Sequence, residues 1–523
     1  MKIPGLALIL LASLLATVTA TEKPNIIIFL VDDMGLMDTS VPMLADAKGQ
    51  PERHPLNDWY RTPNMEKLAA QGIRFSNFYA HNMCSPSRVS ILTGQNSARH
   101  GTTCWISPQA DNKGTYGPPD WNWTGLKKES VTLPRLLQAA GYKTIHVGKA
   151  HFGPKGSEGE DPRNLGFDVN IAGAAMGQPG SYYGSSNYIR AGNEANALPG
   201  LEKFHGTDTF LTEALTLEAN DQIARAVEEK KPFFLHLAHY AAHGPFEADP
   251  RFHSRYKNSG KGEKAEAFAT LIEGMDKSLG DVMAKVSALG QAENTLLVFL
   301  GDNGSDAPLG DTFGHASSSP LKAMKGTSYE GGTRAPFVAA WLKPDPTNPW
   351  QKKLPVAPGA VQPQIGTVMD LYPTLLALTD TPDAPGHRID GFDLKPQLDG
   401  GRNPARAETF LSHVPHVHRS SYFSNLVSGD WKVVYHYFID EDSGIPSRPA
   451  GAVGAAAKGK RGAASAVRYE LYDLKNDPFE TTNLADKNPG KLQAMMKELV
   501  GDLEAKGALY PVRDGQELRP QLP

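Results

Sequence analysis

One run of seven residues, Asn-Ile-Ile-Ile-Phe-Leu-Val at Asn25–Val31, constrains the fold more than any other stretch of the chain. The run is rich in β-branched residues and has no polar residue after Asn25, which is typical of a strand buried on both faces. Such a strand needs helices on both sides of its sheet. The run ends abruptly at Asp32 and Asp33. The sequence therefore predicts an α/β domain with acidic side chains at the end of a central strand.

Further apolar runs alternate with segments of helical spacing along the first part of the chain. The other strand candidates are Lys143–Val147, Phe233–Ala238, Thr295–Leu300 and Pro336–Leu342. The helix candidates are Pro63–Gln71, the segment between Thr132 and Gly141, Asp208–Glu229 and Glu263–Leu289. Ligands of open α/β sheets bind at the carboxyl ends of the strands, so the polar clusters that follow these strands are candidates for a site.

The length of the chain and a change in its pattern indicate a large domain with a smaller one attached. At 523 residues the chain is too long for one ordinary core. We expect a large domain over residues 21–400 and a smaller α+β subdomain over residues 401–523, where short alternating runs precede a helix near Pro489–Lys506. Residues 441–467 are rich in Gly, Ala, Ser and Lys, which predicts a flexible loop.

Residues 1–20 have the three parts of a secretory signal peptide. Lys2 supplies the positive charge, Leu6–Leu15 the apolar stretch and Val18-Thr19-Ala20 the small residues of a cleavage site. No Cys directly follows that site to take a lipid, and no later stretch reaches the roughly 18 apolar residues of a membrane helix. We therefore expect a secreted or periplasmic protein without a membrane span.

The charge balance excludes one class of function. The chain has 53 basic and 57 acidic residues, a formal net charge of −4. This balance argues against a polybasic face that binds nucleic acid or anionic lipid, so recognition of an anion must be local.

Two cysteines are present, Cys84 and Cys104. In an exported protein a disulfide between them is the simplest interpretation. Cys84, however, begins the segment Cys84-Ser85-Pro86-Ser87-Arg88, which is followed by Leu92-Thr93-Gly94. This segment resembles the C-x-P-S-R signature that formylglycine-generating enzymes recognise in type I sulfatases. The resemblance implies that such an enzyme oxidises Cys84 to formylglycine, and that Cys104 is then a lone thiol.

Other segments are similar to the same family, in the same order along the chain. They are Asp32-Asp33, Gly148-Lys149-Ala150-His151, His243-Gly244-Pro245, Gly301-Asp302-Asn303-Gly304, Lys325–Arg334 and Tyr469–Leu474. The resemblance implies the alkaline-phosphatase-like fold of sulfatases, in which a large mixed central sheet is sandwiched by helices and a smaller α+β subdomain follows.

Four of these residues form a set of oxygen ligands. The carboxylates of Asp32, Asp33 and Asp302 with the side-chain oxygen of Asn303 select Ca²⁺ or Mg²⁺ over Zn²⁺. Each Asp taken alone is equally consistent with a strand-end or turn residue. The resemblance implies one Ca²⁺ per chain, with the modified Cys84 as a further ligand.

The resemblance also implies how the reaction proceeds. Hydrated formylglycine is a geminal diol: one hydroxyl attacks sulfur to give a covalent sulfate intermediate, and deprotonation of the other expels sulfate. Arg88, Lys149 and Lys325 would place positive charge against the sulfate oxygens and the diol. His151 would be the base for breakdown of the intermediate, and His243 the acid that protonates the leaving oxygen. Taken singly, each Lys or His is better explained as an ordinary surface or core residue.

Other functions fit parts of the pattern. Phosphodiester and phosphonate hydrolases of the same superfamily use similar chemistry, and some share the C-x-P-S-R motif. A phosphatase would usually hold two transition metals and use Ser or Thr as its nucleophile, whereas this chain has one oxygen-rich site. A non-catalytic relative would lack a nucleophile, a lysine or a metal carboxylate, and none is missing. A hydrolase of small aryl sulfates is a further alternative.

Export favours a sulfated saccharide as the substrate, and known relatives point to galactose- or N-acetylgalactosamine-type sugars with 4- or 6-sulfates. Several aromatic residues are equally consistent with sugar stacking and with loop packing: Trp105, Trp121, Trp123, Tyr182 and Tyr183. The polar segment His413–Arg419 is a candidate for the rim of the pocket. His236 and His239 are interpreted as core or rim residues.

Overall fold

The structure is a computed structural model that describes residues 23–46, 48–192, 197–309, 317–439 and 465–523. The predicted signal peptide at residues 1–20 lies outside the described residues, as do residues 441–464 of the predicted flexible loop.

A mixed sheet of eight strands forms the centre of the larger part of the described chain. In chain order its strands are β1 (Asn25–Val31), β2 (Ile73–Phe75), β3 (Lys143–Gly148), β4 (Val169–Ile171), β5 (Phe233–His239), β6 (Thr295–Gly301), β7 (Phe337–Trp341) and β8 (Val361–Gln362). Their spatial order is β8-β2-β7-β6-β1-β5-β3-β4. Five neighbouring strands run parallel to one another: β6, β1, β5, β3 and β4. Strand β7 is antiparallel to both of its neighbours. The large mixed sheet is confirmed.

The side chains of β1 enter two separate cores. Ile27, Phe29 and Val31 pack on one face of the sheet, and Ile26, Ile28 and Leu30 pack on the other. All six are fully buried. Burial of both faces explains why the run does not alternate between apolar and polar residues.

Helices cover both faces of the sheet. The longer helices of the described residues are α1 (Pro63–Gln71), α2 (Cys84–Thr93), α3 (Leu133–Ala139), α4 (Leu211–Glu228), α5 (Glu263–Ala288), α6 (Leu371–Thr379) and α7 (Pro489–Lys506). Residues of α1, α4 and α5 join the core on the Phe29 side, and residues of α2, α3 and α6 join the core on the Ile28 side. The predicted bounds of α1 and α7 match those observed.

Shorter elements connect these units. Short helices lie at Pro55–Trp59, Ser97–His100, His253–Tyr256, Glu330–Thr333, Pro349–Lys353 and Lys395–Leu398. Two-residue strands pair Leu44–Ala45 with Pro51–Glu52, Phe78–Tyr79 with Gly366–Thr367, and Val512–Arg513 with Gln516–Glu517.

A second, antiparallel sheet lies in the C-terminal region. Its strands, in spatial as in chain order, are β9 (Thr409–Val414), β10 (Phe423–Ser428), β11 (Trp431–His436) and β12 (Tyr469–Asp473). Helix α7 shares a hydrophobic core with this sheet, which includes Met496 and Leu499 of the helix with Leu426 and Val433 of the strands. The predicted α+β arrangement of this region is confirmed, and the boundary near residue 400 stays a prediction.

The search for membrane-spanning helices covered the described residues, and among these no helix has both the length and the apolar character that crossing a bilayer requires.

Candidate functional site

The ends of four neighbouring strands bring the predicted site residues together. Asp32 follows β1, Lys149 follows β3, His243 lies in the turn after β5, and Asp302 follows β6. These strands are adjacent in the order β6-β1-β5-β3, so their carboxyl ends meet at one edge of the sheet. Asp32, Lys149 and Asp302 are fully buried, whereas 18% of the His243 side chain is exposed. Of these four residues, His243 is therefore the one that solvent reaches.

Three buried ion pairs form the floor of the site. The three carboxylates are balanced by three cations, so the buried cluster carries little net charge. The pairs are Lys149 Nζ with Asp32 Oδ2 at 2.6 Å, Lys325 Nζ with Asp33 Oδ1 at 2.5 Å, and Arg88 Nη2 with Asp302 Oδ2 at 2.8 Å.

Three side-chain oxygens in this cluster are buried and receive no hydrogen bond from the described residues: Asp32 Oδ1, Asp33 Oδ2 and Asn303 Oδ1. Carboxylate oxygens of Asp32, Asp33 and Asp302 lie within 4.8 Å of one another. Buried polar atoms in folded proteins nearly always have a partner. A hard cation would supply one to all three oxygens, so the donor set fits such an ion.

The electrostatics of the cluster favour ionised carboxylates at two positions. Burial raises the pKa of Asp33, but the charges of His243 and Lys325 outweigh burial and hold it well below its ordinary value. Burial likewise opposes ionisation of Asp302, and the nearby Arg88 and Lys149 lower its pKa. Burial raises the pKa of Asp32 despite Lys149, and the two other carboxylates raise it further.

Cys84 is the first residue of α2, and its sulfur faces His151. Cys84 Sγ lies 3.2 Å from His151 Nδ1, and His151 Nε2 lies 2.6 Å from the carbonyl oxygen of Ile106. Because a carbonyl oxygen only accepts, Nε2 carries the proton and Nδ1 presents a lone pair to Cys84. Burial and the charge of Lys149 hold the pKa of His151 well below its ordinary value, so the ring is neutral.

Neighbouring residues hold the His151 ring in this orientation. Ser85 Oγ accepts a hydrogen bond from the backbone N–H of Ile106 at 3.1 Å, which fixes the segment whose carbonyl receives the His151 proton. A Cβ atom on Gly177 would lie 2.7 Å from His151 Cε1, so glycine lets the chain close over the ring. His151 itself has a backbone φ of 59°, which is uncommon for a residue other than glycine.

Arg88 lies one turn after Cys84 on α2 and is fully buried. Its Nε donates to Asp302 Oδ2 at 2.9 Å, and its Nη1 donates to the carbonyl oxygen of Lys149 at 2.8 Å. The guanidinium therefore fixes a carboxylate and the turn that carries Lys149.

His243 is more exposed than His151, the other histidine of the site. The Nε2 atom of His243 is 3.5 Å from Asp33 Oδ2, and its Nδ1 is 2.9 Å from the carbonyl oxygen of Gly244, so Nδ1 carries the proton of the neutral ring. Burial lowers the pKa of His243 to about 4, against the opposing effect of Asp33. The hydroxyl of Tyr182 lies 2.7 Å from the carbonyl oxygens of Tyr240 and His243 and supports this turn.

A family model described as Sulfatase matches residues 24–381. The chain belongs to the sulfatase family. It is 30% identical to the N-acetylgalactosamine-6-sulfatase of Canis lupus familiaris over 76% of this chain and 70% of that one. It is also 30% identical to human arylsulfatase A, over 93% of this chain and 89% of that one. The chain is therefore a sulfuric ester hydrolase.

Solved structures agree with the fold of this sulfatase. The crystal structure of Ps i-CgsB in complex with k-i-k-neocarrahexaose matches with a TM-score of 0.69 at 23% sequence identity. The match covers 94% of the sulfatase and 95% of that chain.

Both cysteines of the sulfatase are buried free thiols, so the structure does not contain the alternative disulfide. Cys104 Sγ has Met83 Sδ as a neighbour at 3.9 Å, and burial raises the pKa of the Cys104 thiol.

One ion pair beside the site was not predicted from the sequence. Arg419 binds both carboxylate oxygens of Asp306, and the backbone N–H of Asp306 donates to the carbonyl oxygen of Asp33 at 3.3 Å. Arg419 ends the polar segment His413–Arg419, which was the available sequence signal. The histidines at 413 and 416 are buried and bind the carbonyl oxygen of Leu509 and the hydroxyl of Thr103 instead.

Four other sequence candidates are buried, whereas Trp105, Trp123 and Tyr183 are only partly buried. Trp121 and Tyr182 are buried, which fits packing rather than sugar stacking. His236 and His239 are fully buried and belong to the core.

Proposed function

We propose that this sulfatase is exported and hydrolyses sulfate esters of glycans with a formylglycine made from Cys84 and with one bound Ca²⁺. The overall reaction is the conversion of a sulfate ester and water into an alcohol and hydrogen sulfate. The observation that carries the proposal is the position of Cys84. Its sulfur lies 3.2 Å from His151 Nδ1, within a C-x-P-S-R segment whose Arg88 binds Asp302, one of the three clustered carboxylates.

Asp32, Asp33, Asp302 and Asn303 would hold the Ca²⁺ ion, and the modified residue 84 would be a further ligand. The support is the set of three partnerless oxygens described above, which contains no sulfur or nitrogen donor. A bound Ca²⁺ would supply positive charge that favours an ionised nucleophile and stabilises the sulfate oxygens. Arg88 keeps Asp302 in place for this purpose because its Nε and Nη2 both contact the same carboxylate oxygen.

The formylglycine-generating enzyme would act on Cys84, since the recognition residues of the motif are intact. When hydrated, the aldehyde supplies one hydroxyl as nucleophile and a second whose deprotonation releases sulfate. His151 is placed to take that proton, because its neutral ring directs Nδ1 at residue 84 while Nε2 is held by Ile106.

Lys149 and Lys325 would stabilise the sulfate oxygens. Each ammonium group already contacts a carboxylate of the cluster and is almost fully buried, so its charge is fixed in a region of low dielectric constant. Such preorganised charge stabilises a transition state without reorientation of solvent.

His243 would protonate the leaving oxygen. It is the more accessible of the two histidines, and Nε2 is the ring nitrogen that remains free for a proton because Nδ1 is bonded to Gly244. An anionic ester beside Nε2 would favour the protonated ring, as Asp33 already does.

Sulfated saccharides of galactose or N-acetylgalactosamine type are the proposed substrates. The support is the similarity to an enzyme named N-acetylgalactosamine-6-sulfatase. The proposed export rests on residues 1–20, whose pattern is that of a signal peptide.

A panel of substrates tests this proposal. Purified, modified protein is incubated with defined 4- and 6-sulfated galactosides and N-acetylgalactosaminides, a nitrophenyl sulfate and a phosphonate monoester, and product release is measured. We expect the highest kcat/KM on a sulfated saccharide. A higher kcat/KM on the aryl sulfate or the phosphonate would contradict the proposed substrate class. Lys149→Ala, prepared in parallel, should abolish the sulfatase activity.

A further inference from the structure

The segment that carries Lys325 is held by the C-terminal sheet and the loops around it. The carbonyl oxygen of Gly326 accepts a hydrogen bond from Ser420 Oγ at 2.9 Å. The carbonyl oxygen of Ser328 accepts one from Asn425 Nδ2, also at 2.9 Å. Ser420 and Asn425 belong to the C-terminal region, so two contacts from that region fix the backbone immediately after Lys325.

The same segment ends in a buried ion cluster that consists of Glu330, Lys432 and Glu480, here called the Lys432 cluster. Lys432 on β11 places its Nζ 3.0 Å from Glu330 Oε1 and 2.9 Å from Glu480 Oε1. Glu480 Oε2 accepts the backbone N–H of Glu330 at 2.7 Å, and Tyr79 donates to Glu330 Oε2 at 2.7 Å. The three charged side chains are at most 1% exposed. Both the side chain and the backbone of Glu330 are therefore held by directional bonds.

Burial of the three charged side chains of the Lys432 cluster costs desolvation free energy. Burial of an ion pair removes its hydration, a cost that apolar side chains of similar volume do not have. A buried ion pair can instead serve to hold its neighbours in one specific arrangement. Here the geometry concerns Lys325, because residues 325–330 carry both the lysine and the anchored glutamate. The chain between them is also folded into a turn, in which the backbone N–H and the hydroxyl of Thr327 both donate to the carbonyl oxygen of Met324, at 3.2 and 2.6 Å. Just after Glu330, a Cβ atom on Gly332 would lie 2.5 Å from the carbonyl oxygen of Thr327. A displacement of Glu330 should therefore also displace the backbone of Lys325.

We propose that Lys432 is a positioning residue for Lys325, which it controls through Glu330 and Glu480 by fixing the segment 325–330. The ammonium group of Lys325 is thereby kept beside Asp33 and directed at the substrate. This inference rests on the proposed function, in which Lys325 stabilises the sulfate oxygens. It assigns to the C-terminal sheet a direct part in arranging the catalytic lysine.

The first test compares Lys432→Met and Lys432→Arg with a matched control. Arg406 forms an equally buried ion pair with Asp370 at 2.8 Å and has no contact with segment 325–330 among the described residues, so Arg406→Met is the control. Rates are measured at a temperature at which circular dichroism shows all variants folded. Lys432→Met should lower kcat by about 10- to 100-fold, Lys432→Arg should restore part of it, and Arg406→Met should keep the wild-type kcat. A wild-type kcat in Lys432→Met would overturn the proposal.

A double-mutant cycle with Lys325→Ala tests whether the effect passes through the lysine. If Lys432 acts by positioning Lys325, then Lys432→Met should lower the residual rate of Lys325→Ala little or not at all. Two effects that multiply would contradict the proposed route. Should Lys432→Met not fold, Glu480→Gln takes its place in the same cycle with a smaller expected loss of kcat.

Hydrogen exchange provides a readout that does not need catalysis. The amides of residues 326–330 should exchange faster in Lys432→Met than in the wild type and in Arg406→Met. Unchanged exchange in this segment would refute the positioning role. A wild-type protein without activity on any sulfate ester would instead refute the proposed function, and the exchange experiment would still decide the positioning claim.

Discussion

Replacement of Asn303 by leucine should affect the stability of the protein differently in the absence and in the presence of the bound cation. Asn303 is buried, its Oδ1 has no hydrogen-bond partner, and its Nδ2 donates to Asp33 Oδ1 and to the carbonyl oxygen of Gly304, both at 2.9 Å. Leucine has a similar shape and removes both the satisfied and the unsatisfied polar atoms. The change therefore predicts different outcomes with a chelator and with Ca²⁺.

The magnitude follows from these contacts. In a chelator, the two lost hydrogen bonds cost about 0.5–1.5 kcal/mol each, and removal of the unsatisfied oxygen regains about 1–3 kcal/mol, so the net change is near zero. At a Ca²⁺ concentration of about 100 times Kd the wild type gains about 2.7 kcal/mol. If loss of one ligand raises Kd about 100-fold, the variant gains only about 0.4 kcal/mol at the same concentration.

The assay measures Tm by circular dichroism, once in Ca²⁺ and once in chelator, and compares the two values. At roughly 2 °C per kcal/mol, the wild type should shift by about 5 °C and Asn303→Leu by about 1 °C. Asn57→Leu is the matched control, because Asn57 is also buried but its oxygen accepts the N–H of His54 at 2.9 Å. The control should lose stability in both conditions and keep the full Ca²⁺ shift. A full shift in Asn303→Leu, or none in the wild type, would refute the ligand assignment.

Three further substitutions test the roles of single residues. His243→Ala should lower kcat on a sulfated saccharide by about 10²–10⁴-fold and much less on a nitrophenyl sulfate, whose leaving group needs little protonation; an equal loss on both substrates would contradict the role of the acid. His151→Ala should release alcohol once and then stall with sulfate on residue 84, which rapid-quench kinetics and intact-mass measurement detect; continued turnover would show that His151 is not the base. Cys104→Ala should keep the wild-type kcat/KM, because Cys104 is a free thiol with no bond to Cys84, and loss of activity would point to a role for this thiol.

The central part of the fold could be predicted because the local residue pattern of its strands and helices indicates which of their faces are buried. Asn25–Val31 lacks alternation since both faces of β1 are covered, and Pro63 and Gly72 mark the observed ends of α1. The antiparallel direction of β7 could not be predicted from its residues. An apolar run such as Phe337–Trp341 is buried on both faces in either direction, and the pairing is decided by partners far away in the sequence.

The same distinction applies to the site. Asp32, Lys149 and Asp302 could be placed together because each lies within two residues of the end of a predicted strand, and parallel strands end at a common edge. The Arg419–Asp306 pair and the Lys432 cluster join residues that are 113 and 102 positions apart, in segments with no shared pattern. The tautomer of His151 depends on a hydrogen bond to the backbone carbonyl group of Ile106. Every residue has such a carbonyl group, so the sequence cannot indicate which one His151 contacts.

The chemical state of residue 84 tests the central claim most directly. Peptide mass spectrometry of the protein, made together with a formylglycine-generating enzyme, measures the fractions of aldehyde and thiol at this position in preparations of different specific activity. We expect that sulfatase activity rises in proportion to the aldehyde fraction and vanishes in Cys84→Ala. Fully active protein that contains only the thiol, or a Cys84–Cys104 disulfide, would contradict it.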